Sequence, residues 1–226
     1  MKSTEEQLES VLSQRKTSKV LAEKPWEATL DRGAQQQLIT ELLSLGATAP
    51  VHYKSAERHH SDDLPSSLPF RAYTMRSDEC RKLADMLEAL DPPAGKIINM
   101  LWAAEAVIVT TWLPDVFGDQ PEERMAEPVP FTGNLRNMEH LAATGAAIQN
   151  MLLGATAKGF PSYWSSGGVI RHKEVREILS VSLEEILLGV LFLFPKDAEE
   201  RGVEVKPGKL RSSGKSVESW SKSVTF

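Results

Sequence analysis

The segment FPSYWSSGGVI, residues 160–170, combines residue types that a structural linker does not need. Two aromatic side chains, Tyr163 and Trp164, are followed directly by two hydroxyls and then by two glycines. Aromatic rings stack on flat ligands, hydroxyls bind polar edges, and glycine lets the backbone approach closely. The segment therefore predicts a turn that lies against a flat, polar-edged cofactor. For Trp164, ordinary packing in the core is the alternative.

The elements on either side of this turn are predicted to be buried and to hold it in place. Before it, residues 137–158 form the longest predicted helix, with bulky apolar residues on one side and small residues on the other. After it, a short helix precedes the apolar run ILLGVLFLFP, which predicts a central strand covered on both faces. The small-residue side includes Gly145 and Ala146, and it permits close approach by another backbone, here that of a second subunit.

Periodicity and capping residues predict the other elements. Helices are predicted over residues 3–13, 33–45, 77–90 and 95–105, and strands over residues 70–75 and 107–111. A long polar loop occupies residues 49–69, and a stretch rich in proline, glycine and charge occupies residues 114–136. Loops of this length in compact domains are usually functional or disordered.

Composition and charge argue against several classes of function. The 226 residues carry a net charge of −5, which does not favour nucleic acid or an anionic membrane as a partner. The single cysteine, Cys80, cannot form an internal disulfide, which fits a reducing compartment. No apolar run approaches the roughly 20 residues of a membrane span, and the polar N-terminus lacks a signal-peptide pattern. A cytoplasmic protein is therefore expected.

The chain offers no convincing pattern for a metal site or a catalytic dyad. His59 and His60 stand close to Asp62 and Asp63. This run is too contiguous for the spaced ligands of a preformed metal site, and there is no CxxC motif. We therefore expect no metal, and we assign no side chain as a catalytic acid or base.

Three motifs in different parts of the chain are informative together. The first is RKTSK, residues 15–19, at the end of the first predicted helix. The second is Ala49-Pro50 followed by the strand sequence PFRAY, residues 69–73. The third and most specific runs from AAIQNMLLGATAKGFPSYWSSG to EEILLGVLFLFP. In this order and spacing the motifs resemble those of the FMN-dependent nitroreductase family, over most of the chain except the tail.

The resemblance implies an α+β fold of the nitroreductase type, in which a mixed central β-sheet is flanked by helices. It also implies a homodimer whose subunits share their interface and bind two FMN molecules there. Residues 1–203 would form one FMN-binding domain that includes the loop 51–68 and the excursion 114–136. Residues 204–226 would form a C-terminal arm that docks on the partner subunit.

The resemblance further implies which residues contact FMN near the N-terminus and in the tail. Arg15 and Lys16 match phosphate-binding positions, and Arg211 resembles a tail arginine that completes the phosphate site in some members. Without the resemblance, Arg15 and Lys16 indicate only a solvated helix C-terminus, where positive charge is favourable anyway. Thr17 and Lys19 match positions near the ribityl chain and the pyrimidine edge, where a cation helps to set the redox potential.

The other implied contacts lie in two loops. The residues Ser66, Ser67 and Leu68 stand where relatives place groups that touch the edge of the flavin ring. His52 matches a histidine that follows Ala-Pro in one bacterial subgroup, and an ordinary surface histidine is the equal alternative. In the segment 160–170, four residues match positions that contact FMN: Trp164, Ser165, Ser166 and Gly167.

The resemblance implies an oxidoreductase in which NAD(P)H delivers a hydride to flavin N5 and leaves before the acceptor binds. A small-molecule acceptor, such as a nitro compound or a quinone, then takes two electrons in a ping-pong sequence. Chemistry at N5 needs no protein acid or base.

Two alternatives to this function stay open. One is an enzyme of the same fold with another reaction, namely reductive dehalogenation, flavin destruction or azoline oxidation. The other is a flavin-binding protein without turnover.

Overall fold

A four-stranded sheet with helices on both faces forms the body of the protein. The computed structural model describes residues 3–90, 94–116, 131–201, 203, 205–207 and 216–224. The helices are α1 (Thr4–Gln14), α2 (Arg32–Gly46), α3 (Ser77–Glu88), α4 (Lys96–Ala103), α5 (Leu135–Ala157) and α6 (Lys173–Ile178). The strands are β1 (Ser18–Val20), β2 (Phe70–Arg76), β3 (Ala106–Trp112), β4 (Ser162–Ser165), β5 (Ile186–Leu193) and β6 (Val205–Pro207).

The strand order of the sheet is β2-β3-β5-β4, and all neighbouring pairs are antiparallel. A parallel bridge from Thr17 to Ser162 attaches the segment before β1 to the β4 edge. The strand β1 then pairs with β6 in a separate antiparallel ribbon. The expected α+β fold is confirmed. Among the described residues, the bridge from Thr17 to Ser162 is the parallel pairing, and it makes the sheet mixed.

The helices α1, α2 and α5 begin where the sequence provides a side-chain cap. Ser3 accepts a hydrogen bond from the Glu6 backbone, and the Glu6 carboxylate accepts one from the Ser3 backbone, which completes a capping box for α1. The Asp31 carboxylate accepts a hydrogen bond from the Ala34 backbone N–H and so caps α2, without the reciprocal bond of a capping box. The predicted helices and strands are therefore found, with ends that differ by a few residues.

The central strand β5 divides the core into two layers. Val190 and Phe192 point towards the cluster that α3, α4 and α6 cover, whereas Leu191 and Leu193 point towards α2 and α5. Burial on both faces explains why the sequence of β5 is continuously apolar rather than alternating. Within the described ranges, none of the helices combines the length and the hydropathy that a bilayer crossing requires.

The prediction of a turn over residues 160–170 is wrong for its central part. Residues Ser162–Ser165 form the edge strand β4, and they pair with Val190–Leu193 of β5. The strand β4 is only four residues long, and Pro161 before it and Gly167 and Gly168 after it favour a turn. Pairing with the open hydrogen-bonding edge of β5 overrides that preference, and Tyr163 and Trp164 suit a strand. The turn itself is confined to the residues after Ser165.

The small-residue side of α5 faces outwards in the single chain. Ala142 and Gln149 are exposed, and a Cβ placed at Gly145 would meet no atom within 4 Å. The role of this face as a subunit interface stays a prediction, as do the boundaries of the domain and the C-terminal arm. The predicted excursion 114–136 lies mostly outside the described residues, since 117–130 are among those not described.

Candidate functional site

The end of α1 and the start of β1 form a basic corner beside β4. The Arg15 guanidinium donates a hydrogen bond to the Thr17 hydroxyl at 3.3 Å, and the Thr17 backbone bridges to Ser162. The Lys16 ammonium lies 3.4 Å from the Glu199 carboxylate, and both side chains are exposed. An exposed ion pair of this kind adds little stability, so it leaves the Lys16 charge accessible to a ligand.

Three lysines from three elements converge next to this corner. Lys19 of β1 stands opposite Lys206 of β6 in the antiparallel ribbon, and its ammonium lies 5.5 Å from the centre of the Tyr163 ring. Burial lowers the pKa of Lys19, and the positive charges of Lys96 and Lys206 lower it further. Because these like charges repel one another, the cluster is suited to an anionic group bound among them.

Sequence reasoning missed two members of this cluster, Lys96 and Lys206. Lys96 begins α4, more than seventy residues from Lys19 along the chain, and its neighbours resemble an ordinary helix start. Lys206 lies in the segment that the sequence assigned to a docking arm. The pairing of β1 with β6 places Lys206 on the same subunit's site, and only the β-ribbon register could have revealed it.

Trp164 lies across the neighbouring strand rather than inside the core. Its side chain is 38% exposed, and its ring occupies the space that a side chain at Gly189 would fill. A Cβ built at Gly189 would stand 1.9 Å from the Trp164 indole nitrogen. The absence of a side chain at Gly189 therefore allows Trp164 to present an aromatic edge at the surface next to β4.

The turn after β4 is held in a conformation that requires glycine. Gly167 has a φ of +109°, and a Cβ there would lie 2.9 Å from the Leu187 side chain. The backbone N–H of Gly167 donates to the Ser165 hydroxyl at 3.2 Å, and Arg171 donates to the carbonyl of Ser166 at 2.6 Å. These bonds fix the backbone of the turn and leave its surface without side-chain bulk, as close contact with a flat ligand requires.

Polar groups and open space beside β4 complete the corner. The hydroxyl of Ser162 is buried and has no hydrogen-bond partner among the described residues. Such a group is destabilising by about 1–3 kcal/mol unless something binds it. An open groove of about 450 Å³ adjoins Lys16, and its lining consists of Ser13, Gln14, Lys16, Ser18, Thr156, Gly159, Phe160 and Pro161.

The residues Ser66, Ser67 and Leu68 lie away from the basic corner of the same chain. They precede β2, which forms the sheet edge opposite β4. His52 is also elsewhere: its imidazole Nδ1 lies 2.7 Å from the Glu139 carboxylate on α5, at an exposed position. One chain therefore brings the predicted residues 15–19 to the strand β4, which contains Trp164 and Ser165 and leads into the glycine turn. It does not bring His52 or the segment 66–68 there. The predicted contact Arg211 lies outside the described residues.

The histidines of the long loop have structural partners. His59 contacts the carbonyl of Pro114 through Nε2 at 2.8 Å, and His60 contacts the Ser55 hydroxyl at 3.0 Å. Burial lowers the pKa of His59, which favours its neutral form in this contact. In the part of the chain that the structure describes, no group of three or more potential metal ligands comes together.

Comparison with known proteins relates the chain to one family. Residues 83–193, which run from α3 to the end of β5, match the family model described as nitroreductase family. This half of the chain carries the nitroreductase pattern, and the fold is nitroreductase-like. The search of curated proteins gives no match.

Solved nitroreductase-type structures share the fold at low sequence identity. A nitroreductase-like family protein from Bacillus cereus matches with a TM-score of 0.60 and 19% identity, over 97% of this chain and 96% of that chain. A nitroreductase from Desulfovibrio desulfuricans, solved in complex with FMN, matches with a TM-score of 0.53 and 18% identity, over 85% and 86% of the two chains. A nitroreductase family protein from Clostridium novyi NT matches with a TM-score of 0.50 and 18% identity, over 84% and 86%.

Proposed function

We propose that this protein is an FMN-dependent oxidoreductase that uses NAD(P)H to reduce small molecules such as nitro compounds or quinones. The observation that carries the proposal is the cluster of Lys19, Lys96 and Lys206 beside Tyr163 and a glycine turn. An anionic, aromatic cofactor fits this combination, because it meets the lysine charges and the open surface together. The FMN complex of the Desulfovibrio desulfuricans structure supports the same cofactor.

The residues present in the basic corner fit FMN by their chemistry. Arg15 and Lys16 would hold the phosphate, since a guanidinium and an ammonium donate charge-assisted hydrogen bonds to phosphate oxygens. The unpaired hydroxyl of Ser162 offers a further donor. Thr17 and Lys19 would contact the ribityl chain and the pyrimidine edge. Arg211, in the tail, stays a proposed phosphate ligand.

The residues after β4 would form the wall against which the ring system lies. Trp164 offers an aromatic edge, Ser165 and Ser166 offer polar groups, and Gly167 permits close approach by the ring. The hydrogen bonds that fix this turn mean that little reorganisation is needed when the cofactor binds. These residues would also exclude water from one face of the ring.

A homodimer would complete the site. The segment 66–68 and His52 are held at the sheet edge opposite the basic corner, so they would serve the cofactor held by the partner subunit. The open face of α5 around Gly145 would provide close helix contact between the subunits. The buried, unbridged Cys80 is compatible with the cytoplasm as the proposed compartment.

Bound FMN would supply the redox chemistry, accepting a hydride from NAD(P)H and passing two electrons to the acceptor. The residues of the chain would bind the cofactor, orient its ring system and set its reduction potential. The positive charge of Lys19 would stabilise the negative charge that develops at the pyrimidine edge, and it would so raise the reduction potential of the cofactor. No side chain is proposed as a proton donor or acceptor.

A visible spectrum of the purified protein tests the proposal. A flavin spectrum that NADH or NADPH bleaches and a nitroaromatic or a quinone restores is the expected result. Flavin that binds but bleaches with neither nicotinamide would favour a binding protein without turnover. Bleaching without restoration by these acceptors would favour another reaction of the same fold. A colourless protein that FMN cannot reconstitute would contradict every flavin hypothesis.

A further inference from the structure

Arg71, in the strand β2, organises the loop that precedes it. Its side chain is buried, with 5% of its surface exposed. The guanidinium donates to the backbone carbonyls of five residues over distances of 2.9–3.4 Å: His59, Leu64, Ser66, Leu68 and Phe70. A planar group with several fixed donors suits this task, because one side chain can bind carbonyls in several directions at once.

The loop has no helix or strand of its own after residue 59 to hold its shape. The segment 60–69 is irregular. Backbone hydrogen bonds join it to the rest of the chain from Ser55 to the carbonyl of Ser67 (3.0 Å), from His60 to that of Glu57 (2.9 Å) and from Leu113 to that of Pro69 (2.9 Å). Between these points Arg71 binds the carbonyls of Leu64, Ser66 and Leu68, and it so helps to fix the path of the chain directly before β2. The residues whose carbonyls it binds include Ser66 and Leu68, two of the proposed flavin contacts.

A buried carboxylate balances the charge of Arg71. Burial lowers the pKa of Arg71, and the negative charge of Glu185 opposes that effect. Glu185 is itself buried, and it accepts a hydrogen bond of 2.7 Å from the Tyr73 hydroxyl and another from Thr111. Arg71 itself belongs to β2, which pairs with β3 along its whole length, so the loop is tied to a strand of the sheet.

We propose that Arg71 is a positioning residue for the flavin site: it holds Ser66, Ser67 and Leu68 in the conformation that meets the ring edge, without touching the flavin. This inference rests on the proposed function. It predicts that removal of the Arg71 guanidinium changes the environment of the bound flavin ring and leaves the fold of the protein largely unchanged.

The variant Arg71→Lys tests this, because lysine keeps the charge near Glu185 but cannot bind five carbonyls. The matched control is Arg81→Lys. Arg81 is also largely buried and donates to three carbonyls, those of Leu101, Ala104 and Trp26, which lie outside the loop. FMN titration, the visible circular dichroism of the bound flavin and the rate of its reduction by NADPH are measured well below the melting temperature.

We expect Arg71→Lys to weaken FMN binding about tenfold, the scale of one lost charged hydrogen bond. At saturating FMN, the circular dichroism of the flavin should also change, whereas Arg81→Lys should lower thermal stability and leave both flavin readouts unchanged. Equal flavin readouts in the two variants would overturn the proposal. A wild-type protein that binds no FMN would instead refute the proposed function.

A second variant covers the case in which Arg71→Lys does not fold. Leu64 is exposed and its carbonyl accepts from Arg71, so Leu64→Gly loosens the loop and leaves the core intact. The same change in the circular dichroism of bound flavin, smaller in size, is expected. An unchanged flavin signal in a folded Leu64→Gly protein would argue that the loop conformation does not matter to the ring.

Discussion

At the scale of single residues, the central feature is the concentration of positive charge around Lys19. Lys19, Lys96 and Lys206 come from different elements; burial lowers the pKa of Lys19 most, and the positive charges of the other two lysines lower it further. Like charges held close together raise one another's free energy, and a bound anion would lower it. The cluster therefore fits the proposed anionic cofactor.

The variant Lys19→Met tests the role of this charge directly. Loss of a charged hydrogen bond is expected to weaken FMN binding by about 1.5–3 kcal/mol, which corresponds to roughly tenfold to a hundredfold in Kd. Fluorescence titration with FMN measures the change. The control is Lys173→Met, which removes an exposed lysine paired with Glu177. Similar affinities in both variants would remove Lys19 from the site.

The lowered pKa of Lys19 also gives a pH dependence with a defined sign. The folded protein without ligand loses the Lys19 proton at lower pH than the ordinary value of 10.5. Since the bound anion would favour the charged ammonium, FMN affinity should fall as the pH rises through the lowered pKa towards 10.5. Titrations at a series of alkaline pH values should show a steeper fall in the wild type than in Lys19→Met. Parallel curves would contradict this assignment.

At the scale of elements, the edge strand β4 does the most to build the site. Its pairing with β5 places Tyr163 towards Lys19 and Trp164 over Gly189, because successive side chains of a strand point to opposite faces. The bridge from Thr17 to Ser162 then brings the end of α1 to the same edge. Two motifs about 140 residues apart in sequence thus meet through backbone pairing.

Substitution of Gly189 by alanine tests the placement of Trp164. The new Cβ would overlap the indole ring, so the ring must move, at a cost in stability of about 1–3 kcal/mol. A shifted tryptophan fluorescence maximum and weaker FMN binding are expected. Gly133→Ala is the matched control, since a Cβ there meets nothing within 4 Å. Unchanged fluorescence and FMN affinity in Gly189→Ala would mean that Trp164 is not held there in solution.

At the scale of the whole molecule, two features favour a homodimer. They are the open face of α5 and the separation of the two groups of proposed site residues. The sheet places the segment 66–68 at one edge and the basic corner at the other, so a single chain offers two half-sites. Leu135 and Met138, at the start of α5, are more than half exposed. A second copy of the chain would cover this apolar surface and unite the half-sites.

The variant Gly145→Leu tests the dimer without disturbing the fold of the subunit. Because the space around Gly145 is open within one chain, leucine should fit there in a monomer, but it should prevent close helix contact in a dimer. Sedimentation should then show a folded monomer with reduced FMN retention. Asp85→Leu, on the exposed side of α3, should sediment like the wild type. A dimeric Gly145→Leu protein would place the interface elsewhere.

The fold was predictable from the sequence wherever local signals and tertiary packing agree. The capping box at Ser3, the cap at Asp31 and the apolar run of β5 each determine their elements through short-range chemistry or burial on both faces. The strand β4 was not predictable, because the proline before it and the glycines after it favour a turn, and pairing with the edge of β5 makes these four residues a strand. When the strand that pairs with a segment is distant in sequence, the local sequence of that segment does not show the pairing.

The sequence by itself determined most of the helices and strands, the resemblance to the nitroreductase family and the basic character of the segment 15–19. Residue type and spacing are sufficient for these, because they depend on local propensity and on recognisable motifs. Only the tertiary structure decided which charges meet: strand register places Lys206 beside Lys19, and packing of α4 adds Lys96. It also separated the segment 66–68 from that cluster, because the order of strands in a sheet depends on long-range pairing rather than on neighbouring residues.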